Sequence, residues 1–216
     1  MVLLTGRGFD NPTETTLLHV ESVENAAMGD ALTGTPSEIS EKILELCRGI
    51  TPGTRPLYLD ITPEPWCKPA DCFENIRRKI ERDGGTIQCG WAIWEWPRVF
   101  VEAEHHAVYS PGSGTLWIDL TPCQQGNSRR LFLPDDNATY DFEDEGFRRD
   151  NVRLALSDDP DVRNLFKTAR RRSDFYNGLP GVGRIVLHAS EDKELAKLER
   201  AVANAIAVLK QKYAKG

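Results

Sequence analysis

The stretch from Phe100 to Pro122 carries two histidines and an aspartate in a pattern that suits nucleophilic catalysis. His105 and His106 lie in one run of β-branched and aromatic residues, and Asp119 lies in the next run. The Pro/Gly/Ser cluster between the two runs predicts a hairpin. If Pro111–Gly114 form its loop, His106 comes opposite Asp119, whereas a loop one residue longer brings His105 there instead. Directly opposed residues have Cβ atoms about 5 Å apart, so the carboxylate can orient an imidazole.

A histidine held by an aspartate activates a nucleophile, and the cysteines supply the candidates. Cys72 follows Asp71, a good N-cap residue, at the start of a predicted amphipathic helix that ends at Gly84. The unpaired N–H groups and the macrodipole of a helix N-terminus favour a thiolate, although the Asp71 carboxylate opposes this effect. The same position also suits a small apolar side chain at a helix start. Cys67 is the weaker candidate, because nothing places it on a helix.

The elements around these residues predict an α+β domain in which an antiparallel sheet follows the helix that bears the cysteine. Thr35, followed by proline and with a glutamate three residues on, predicts a helix start with a capping box. Strong β formers predict a strand over Thr86–Pro97, where Gly90 marks a close backbone approach, as at a groove. Arg129–Pro134 predicts an additional edge strand. An acidic covering loop and two further amphipathic helices, starting at Ser157 and near Ser190, complete the chain.

Length, charge and cysteine usage limit the classes of protein. The chain has 216 residues and a net charge of −6, which fits one domain and argues against nonspecific nucleic-acid binding. No apolar run approaches the length of a membrane span, and Met1–Leu4 is too short for the core of a secretory signal. Five cysteines without tight spacing indicate reduced thiols and a cytoplasmic setting. The single domain comprises a lead-in and helix over 1–55, a core over 56–135, and a loop with helices over 136–216.

The order of Cys72 at a helix start, His106 on a strand and Asp119 on the next run resembles the core of transglutaminase-like proteins, within the broader papain-like group of cysteine enzymes. The resemblance covers about residues 65–122 and is carried by three stretches: His106-Ala-Val108, Tyr109-Ser-Pro-Gly-Ser-Gly114 and Trp117-Ile-Asp-Leu-Thr-Pro122. The family usually has a tryptophan where Val108 stands, and Asp-Pro-Thr where this chain has Asp-Leu-Thr-Pro. The resemblance selects His106 over His105.

The resemblance implies a papain/transglutaminase-like α+β fold and acyl transfer on a carboxamide or peptide bond. Cys72 would attack the carbonyl as a thiolate, His106 would transfer the proton, and Asp119 would fix the imidazole tautomer. Water as the acceptor gives a protease or a deamidase, and an amine gives a transglutaminase. The implied substrate is a protein, a peptide or a small amide. The chemistry requires no cofactor, metal, nucleic acid or membrane.

The remaining site residues are weaker candidates. Beside the backbone N–H of Cys72, the second oxyanion donor has three candidates: Trp66, Gln88 and Trp91. The tryptophans suit core packing equally well. Glu102 and Glu104 project on the same face as His106 if the strand is regular, and there they either bind an amine substrate or are simply solvated.

Two other interpretations stay open. A non-catalytic member of the same fold would use this surface to bind a partner. A zinc site would draw on six possible ligands: Cys67, Cys72, Cys89, Cys123, His105 and His106. The C-x4-C spacing with isolated partners is not a usual zinc pattern, so the sequence favours the enzyme.

Overall fold

The computed structural model describes residues 16–18, 32–112, 116–123, 126–143, 149–179 and 185–214, with residues 16–18 and 185–186 described by their backbone alone. The expected lead-in before residue 32 lies largely outside these residues, as does part of the predicted hairpin loop at 113–115. The described residues form four helices and seven strands: β1 Thr16–Leu18, α1 Glu41–Ile50, β2 Leu57–Asp60, α2 Cys72–Asp83, β3 Thr86–Trp96, β4 Phe100–Ser110, β5 Arg129–Pro134, β6 Val152–Ala155, α3 Pro160–Asn177, β7 Ile185–Leu187 and α4 Ala189–Tyr213.

A five-stranded antiparallel sheet forms the centre of the fold. Its strand order is β2-β5-β3-β4-β6, and β1 pairs separately with β7. The longest pairing joins β3 to β4 over their whole lengths, with Gly90 opposite His106 and Trp91 opposite His105. The predicted α+β class with an antiparallel sheet is confirmed. The prediction of an edge strand at β5 is wrong, because β2 covers the edge of β5 that β3 leaves open.

The predicted hairpin after β4 is wrong in its register. Its second arm contributes single bridges rather than a strand, and Tyr109 pairs with Ile118, whereas the predicted register would pair it with Leu116. The connection is therefore two residues longer than expected. Because side chains alternate with a period of two, a shift of two residues keeps every side chain on its face. His106 and Asp119 consequently still face the same side.

The segment around Asp119 joins the two sides of the sheet at one end. Ile118 exchanges two backbone hydrogen bonds with Tyr109 of β4, and Asp119 forms a parallel bridge with Ile61, just after β2. The Thr62 N–H donates to the Asp119 carbonyl at 2.8 Å. This end of the sheet therefore curls, and its inner face encloses an apolar cluster built on Leu59, Val108 and Phe132. The closure explains why Asp119 is fully buried.

Helices α1 and α2 cover the outer face of the sheet. The predicted start of α1 at Thr35 is wrong, because Ser40 provides the N-cap and the Thr35 hydroxyl donates to the carbonyl of Arg129. Helix α2 begins at Cys72, as predicted. Apolar residues of α1 pack on the middle of the sheet, and Ile76 of α2 packs on the part of β4 that leads to Ser110.

Helices α3 and α4 pack together around the hairpin between β3 and β4. Phe100, Trp96 and Val99 form a cluster with residues of both helices, among them Leu165 and Ile206. Both helices were predicted, and Asp159 caps the first of them. None of the helices in the described part of the chain is long and apolar enough to cross a membrane.

Candidate functional site

Three charged side chains meet inside the curled end of the sheet. The His106 Nε2 atom lies 3.1 Å from Oδ2 of Asp119. Arg130 of β5 brings its Nη1 atom within 2.6 Å of the same carboxylate oxygen and within 2.8 Å of Nε2. The other carboxylate oxygen of Asp119 accepts the backbone N–H of Thr121. All three charged side chains are at least nine-tenths buried, so their hydrogen bonds form away from water.

Burial and charge act in opposite directions on this group. Burial is the largest influence on His106 and alone would lower its pKa, but the Asp119 carboxylate and the charge of Cys72 outweigh it and raise the pKa to about 9. The Arg130 guanidinium opposes this rise. Burial would raise the pKa of Asp119, yet His106 and Arg130 hold it below its usual range. The pair therefore stabilises an imidazolium beside a carboxylate.

His105 lies on the other face of β4 and has a different environment. Its Nε2 atom lies 2.7 Å from the carbonyl oxygen of Ala138, and its ring contacts Phe73, Trp91 and Tyr140. Burial lowers the pKa of His105 to about 4, against a weaker effect of the Ala138 hydrogen bond. A neutral imidazole that donates to a backbone carbonyl, packed among aromatic rings, fits a structural role. The pairing with Asp119 is made by His106.

Cys72 occupies the first turn of α2. On a helix, residues three and four apart are neighbours, so Cys72 lies next to Asn75 and Ile76. Asn75 is buried and donates to the hydroxyl of Thr121 at 3.4 Å, and Ile76 packs against β4. Asp71 is the N-cap residue of α2 without a side-chain capping hydrogen bond, and its carbonyl accepts the backbone N–H of Asn75 at 2.9 Å. The first turn of α2 is thus joined to Thr121, two residues after Asp119.

Cys72 and His106 belong to elements on opposite faces of β4. His106 points to the inner face of the sheet, whereas α2 packs on the outer face. On the edge away from β3, β4 pairs with β6 over Phe100–Ala103 and with Ile118 at Tyr109. Between these pairings, no strand of the described part of the chain covers residues 104–108. His106 and the two residues after it are nevertheless buried, so other parts of the chain cover this edge.

Cys72 acts on His106 through its charge and not through a hydrogen bond. Among the hydrogen bonds that involve described residues, those of the His106 ring use Nε2, and none joins the ring to Cys72. The charge of Cys72 nevertheless contributes to raising the pKa of His106. Cys72 is partly exposed and does not belong to the apolar clusters. The structure thus assembles the His106–Asp119 pair and does not join the thiol to it by a hydrogen bond.

The other cysteines differ from Cys72 in their surroundings. Cys47, Cys67, Cys72 and Cys89 are free thiols. Burial raises the pKa of Cys47 and of Cys89 to about 11, and it also raises the pKa of Cys67, which packs beside α2. The loop after β5 lies against the start of α2, because the Tyr140 ring stacks on Phe73 with centroids 3.9 Å apart. This loop is the described part of the predicted covering segment.

The three candidates for a second oxyanion donor use their N–H groups elsewhere. The indole of Trp66 donates to Glu64, and that of Trp91 donates to Asp135 at 2.9 Å. The Gln88 amide donates to the Cys89 carbonyl and to Asp136. Of the predicted oxyanion donors, the backbone N–H of Cys72 at the start of α2 therefore remains the candidate.

The two glutamates of β4 lie on the inner face with His106, as predicted. Glu102 is buried and accepts hydrogen bonds from Asn151 and Arg153. Burial nevertheless raises its pKa. Glu104 is only partly buried and accepts the indole N–H of Trp94 at 2.7 Å. Glu102 therefore has a structural partner, and Glu104 is the acid that a ligand can reach.

Arg130 was not identified by sequence reasoning. The signal for it is weak but physical: in a strand, neighbouring residues face opposite sides, so one of Arg129 and Arg130 must point inward. Arg129 is exposed and lies over the Tyr58 ring, while Arg130 points into the curled sheet. Nothing in the sequence shows that Asn75 connects α2 to the loop that carries Asp119.

Neither comparison with known proteins nor a search for metal-binding groups of side chains assigns a function to the site. The chain matches no protein-family model, no curated protein and no solved structure. Within the described ranges, no group of three or more histidine, cysteine or acidic side chains is arranged to hold a metal ion. The site is therefore interpreted from its own geometry.

Proposed function

We propose that this protein is a cysteine-dependent acyl-transfer enzyme that uses Cys72, His106 and Asp119. The observation that carries the proposal is the buried hydrogen bond between His106 and Asp119, on a strand whose other face is covered by the helix that begins at Cys72. The combination matters because an imidazole held by a carboxylate is the group that activates a thiol. The helix-on-sheet arrangement is also the one expected of a papain- or transglutaminase-like fold.

The proposed reaction has two steps. The Cys72 thiolate attacks the carbonyl of a carboxamide or peptide bond, and backbone N–H groups at the start of α2 stabilise the oxyanion. His106 donates its proton to the departing ammonia or amine, which leaves a thioester on Cys72. Water or an amine then attacks the thioester, with His106 as the base, and releases the acid or a new amide. Nε2 is held by Asp119, so Nδ1 is the nitrogen that serves the thiol.

The substrate class is a protein, a peptide or a small amide, and Glu104 suits a substrate or an acceptor with a positive charge. Its carboxylate shares the inner face of β4 with His106 and is partly exposed. We propose a cytoplasmic setting, because Cys47, Cys67, Cys72 and Cys89 are free thiols.

A non-catalytic binding role is the second candidate. It is favoured by one observation: Arg130 lies 2.8 Å from Nε2 of His106, and the described hydrogen bonds do not connect His106 to Cys72. In that case the three charged groups would be a structural ion network, and Cys72 would react as an ordinary thiol.

Alkylation at neutral pH distinguishes the two candidates. The protein is treated with iodoacetamide, and modified peptides are quantified by mass spectrometry over time. The enzyme proposal expects Cys72 to react first, with Cys47 and Cys89 slowest because burial raises the pKa of both. His106→Gln should slow the modification of Cys72 by about tenfold or more, since the imidazolium no longer favours the thiolate. Equal, slow reaction of Cys72 and Cys67 would remove the proposal.

Turnover provides the second test. A panel of glutamine-containing peptides is incubated with hydroxylamine, and hydroxamate and ammonia are measured. Cys72→Ala should abolish both products, and His106→Gln should lower kcat by about 10²- to 10⁴-fold. Cys67→Ala is the matched control and should keep wild-type turnover. Activity that survives Cys72→Ala would assign the chemistry to another group.

A further inference from the structure

Two nitrogen atoms approach the same oxygen in the buried charge cluster. Nη1 of Arg130 lies 2.6 Å from Oδ2 of Asp119, and Nε2 of His106 lies 3.1 Å from that oxygen. The two nitrogens are themselves only 2.8 Å apart. A guanidinium is permanently charged and can only donate, so the short nitrogen–nitrogen contact has to be explained by the state of the imidazole.

The contact is a hydrogen bond only when Nε2 carries no hydrogen. The Nη1 amino group has two hydrogens, and one can go to Asp119 while the other goes to Nε2. The neutral His106 then has its hydrogen on Nδ1. When both ring nitrogens are protonated, the imidazolium and the guanidinium share Oδ2 as two adjacent cations, which disfavours the charged ring.

Arg130 is held in this position from several sides. Its guanidinium lies over the Trp94 ring at 5.4 Å, and Nη2 donates to the Thr121 carbonyl at 3.4 Å. The side chain is 4% exposed, and its Nε atom is buried without a hydrogen-bond partner. A group packed in this way cannot turn away from His106 without exposing Asp119.

The charged groups that face His106 come from three directions. Asp119 and Arg130 lie beside Nε2, and Cys72 approaches from α2. Glu102 and Glu104 lie on the same face of β4, but the first is paired with Arg153 and the second accepts the Trp94 indole. Arg130 is therefore the cation that directly opposes protonation of the ring.

We propose that Arg130 is a positioning residue that keeps neutral His106 in the Nδ1–H tautomer and opposes its protonation. Only the consequence for catalysis depends on the proposed function. In that enzyme the resting neutral ring, with its hydrogen on Nδ1, cannot accept the thiol proton, so each cycle starts from the imidazolium form and activity is lost once the imidazolium deprotonates. Within a cycle, the ring becomes the base for the second step only after it has given its Nδ1 proton to the leaving group. Arg130 then sets the alkaline limit of the reaction.

Nitrogen-15 NMR of the histidine side chains tests the proposal on the folded protein. Spectra are recorded from about pH 6 to about pH 11, a range that includes the protonated and neutral rings, and His106 is assigned with His106→Gln. Wild type should show the Nδ1–H form at high pH. Arg130→Met should convert it to the Nε2–H form and raise the His106 pKa. If Arg130→Met does not fold, Arg130→Gln is measured in its place.

The matched control is Arg129→Met, which removes the neighbouring arginine on the opposite face and should leave the His106 signals unchanged. A wild-type ring with its hydrogen on Nε2, or an unchanged His106 pKa in both Arg130 variants, would overturn the proposal. The spectra require no turnover. A clear Nδ1–H signal in a protein whose Cys72 is unreactive would therefore support the role of Arg130 and reject the enzyme.

Discussion

Two adjacent histidines of the same strand have opposite environments. His105 points to the outer face, packs among aromatic rings and donates to a carbonyl, and burial lowers its pKa to about 4. His106 points to the inner face, where Asp119 overcomes the effect of burial and raises the pKa to about 9. Both side chains are largely removed from water. The difference shows that a single buried carboxylate decides which imidazole can carry a charge.

The comparison also separates the two roles of the sheet. On the outer face, apolar side chains of α1 and α2 fill the space, and His105 behaves as one more ring among them. On the inner face, the closure at Asp119 encloses three charged groups that need one another. Substitutions on the outer face should consequently change apolar packing, whereas substitutions on the inner face should leave a buried charge without its partner.

The largest effect is expected from Asp119→Asn. The substitution keeps the shape but leaves the buried guanidinium of Arg130 without a counter-charge, and breaking one partner of a buried ion pair costs about 3–5 kcal/mol. The pKa of His106 should fall below its ordinary value of about 6.5, because burial and the Arg130 guanidinium then outweigh the remaining charge of Cys72. Urea unfolding and NMR titration measure the two effects. Asp60→Asn, at an exposed acid of β2, is the control and should change stability by no more than about 0.5 kcal/mol.

The next effect concerns pH. The pKa of His105 is lower in the folded state than in the unfolded chain, so the unfolded chain binds the proton first as the pH drops. The free energy of unfolding should therefore fall by about 3 kcal/mol at most between about pH 6.5 and about pH 4. The pKa of His106 is higher in the folded state than in the unfolded chain. Its contribution to the free energy of unfolding is therefore complete below about pH 6.5 and is lost as the pH rises through about 9. The free energy of unfolding measured against pH should decline at both ends.

Single substitutions assign the two declines. His105→Gln should flatten the acid side above about pH 4 and leave the alkaline side unchanged, and His106→Gln should do the reverse. The depressed pKa of Asp119 acts only at lower pH, below its ordinary value of about 3.9, so it does not overlap with His105. An acid decline that persists in His105→Gln would show that the neutral ring is not its cause.

Sequence reasoning was most successful where local signals and side-chain periodicity decide the outcome. The start of α2 at Cys72 follows from the preceding Asp71 and the apolar spacing after it, and β3 follows from its run of β formers. The partner of Asp119 was found for a related reason, since a period of two survives an error of two residues in the loop. Local patterns therefore determine which face a residue occupies.

The remaining features depend on contacts between distant parts of the chain. The sequence does not show that β2 pairs with β5, and hence that Arg130 is enclosed rather than placed at an edge. Nor does it show that Asp119 bridges to Ile61, which closes the sheet around the charged groups. The start of α1 was misplaced because Thr35 and Ser40 both suit an N-cap, and tertiary contacts select Ser40.

The smallest of these effects is expected from Gly90→Ala, which tests whether the inner face is packed as tightly as the outer one. A Cβ at Gly90 would lie 2.3 Å from the Leu133 carbonyl oxygen and 2.6 Å from the Phe132 ring, which itself packs edge-on against His106. A backbone oxygen cannot move away as easily as the end of a flexible side chain, and overpacking of this kind destabilises a protein by about 1–3 kcal/mol.

The NMR signals of the two histidines distinguish a local change from a general one. Gly90 pairs with His106 across the strands, so the His106 signals should shift while those of His105 stay in place. Gly34→Ala is the matched control, because a Cβ there meets nothing within 4 Å. If the NMR signals of both histidines shift equally in Gly90→Ala, the two faces of the sheet are mechanically coupled and not independent.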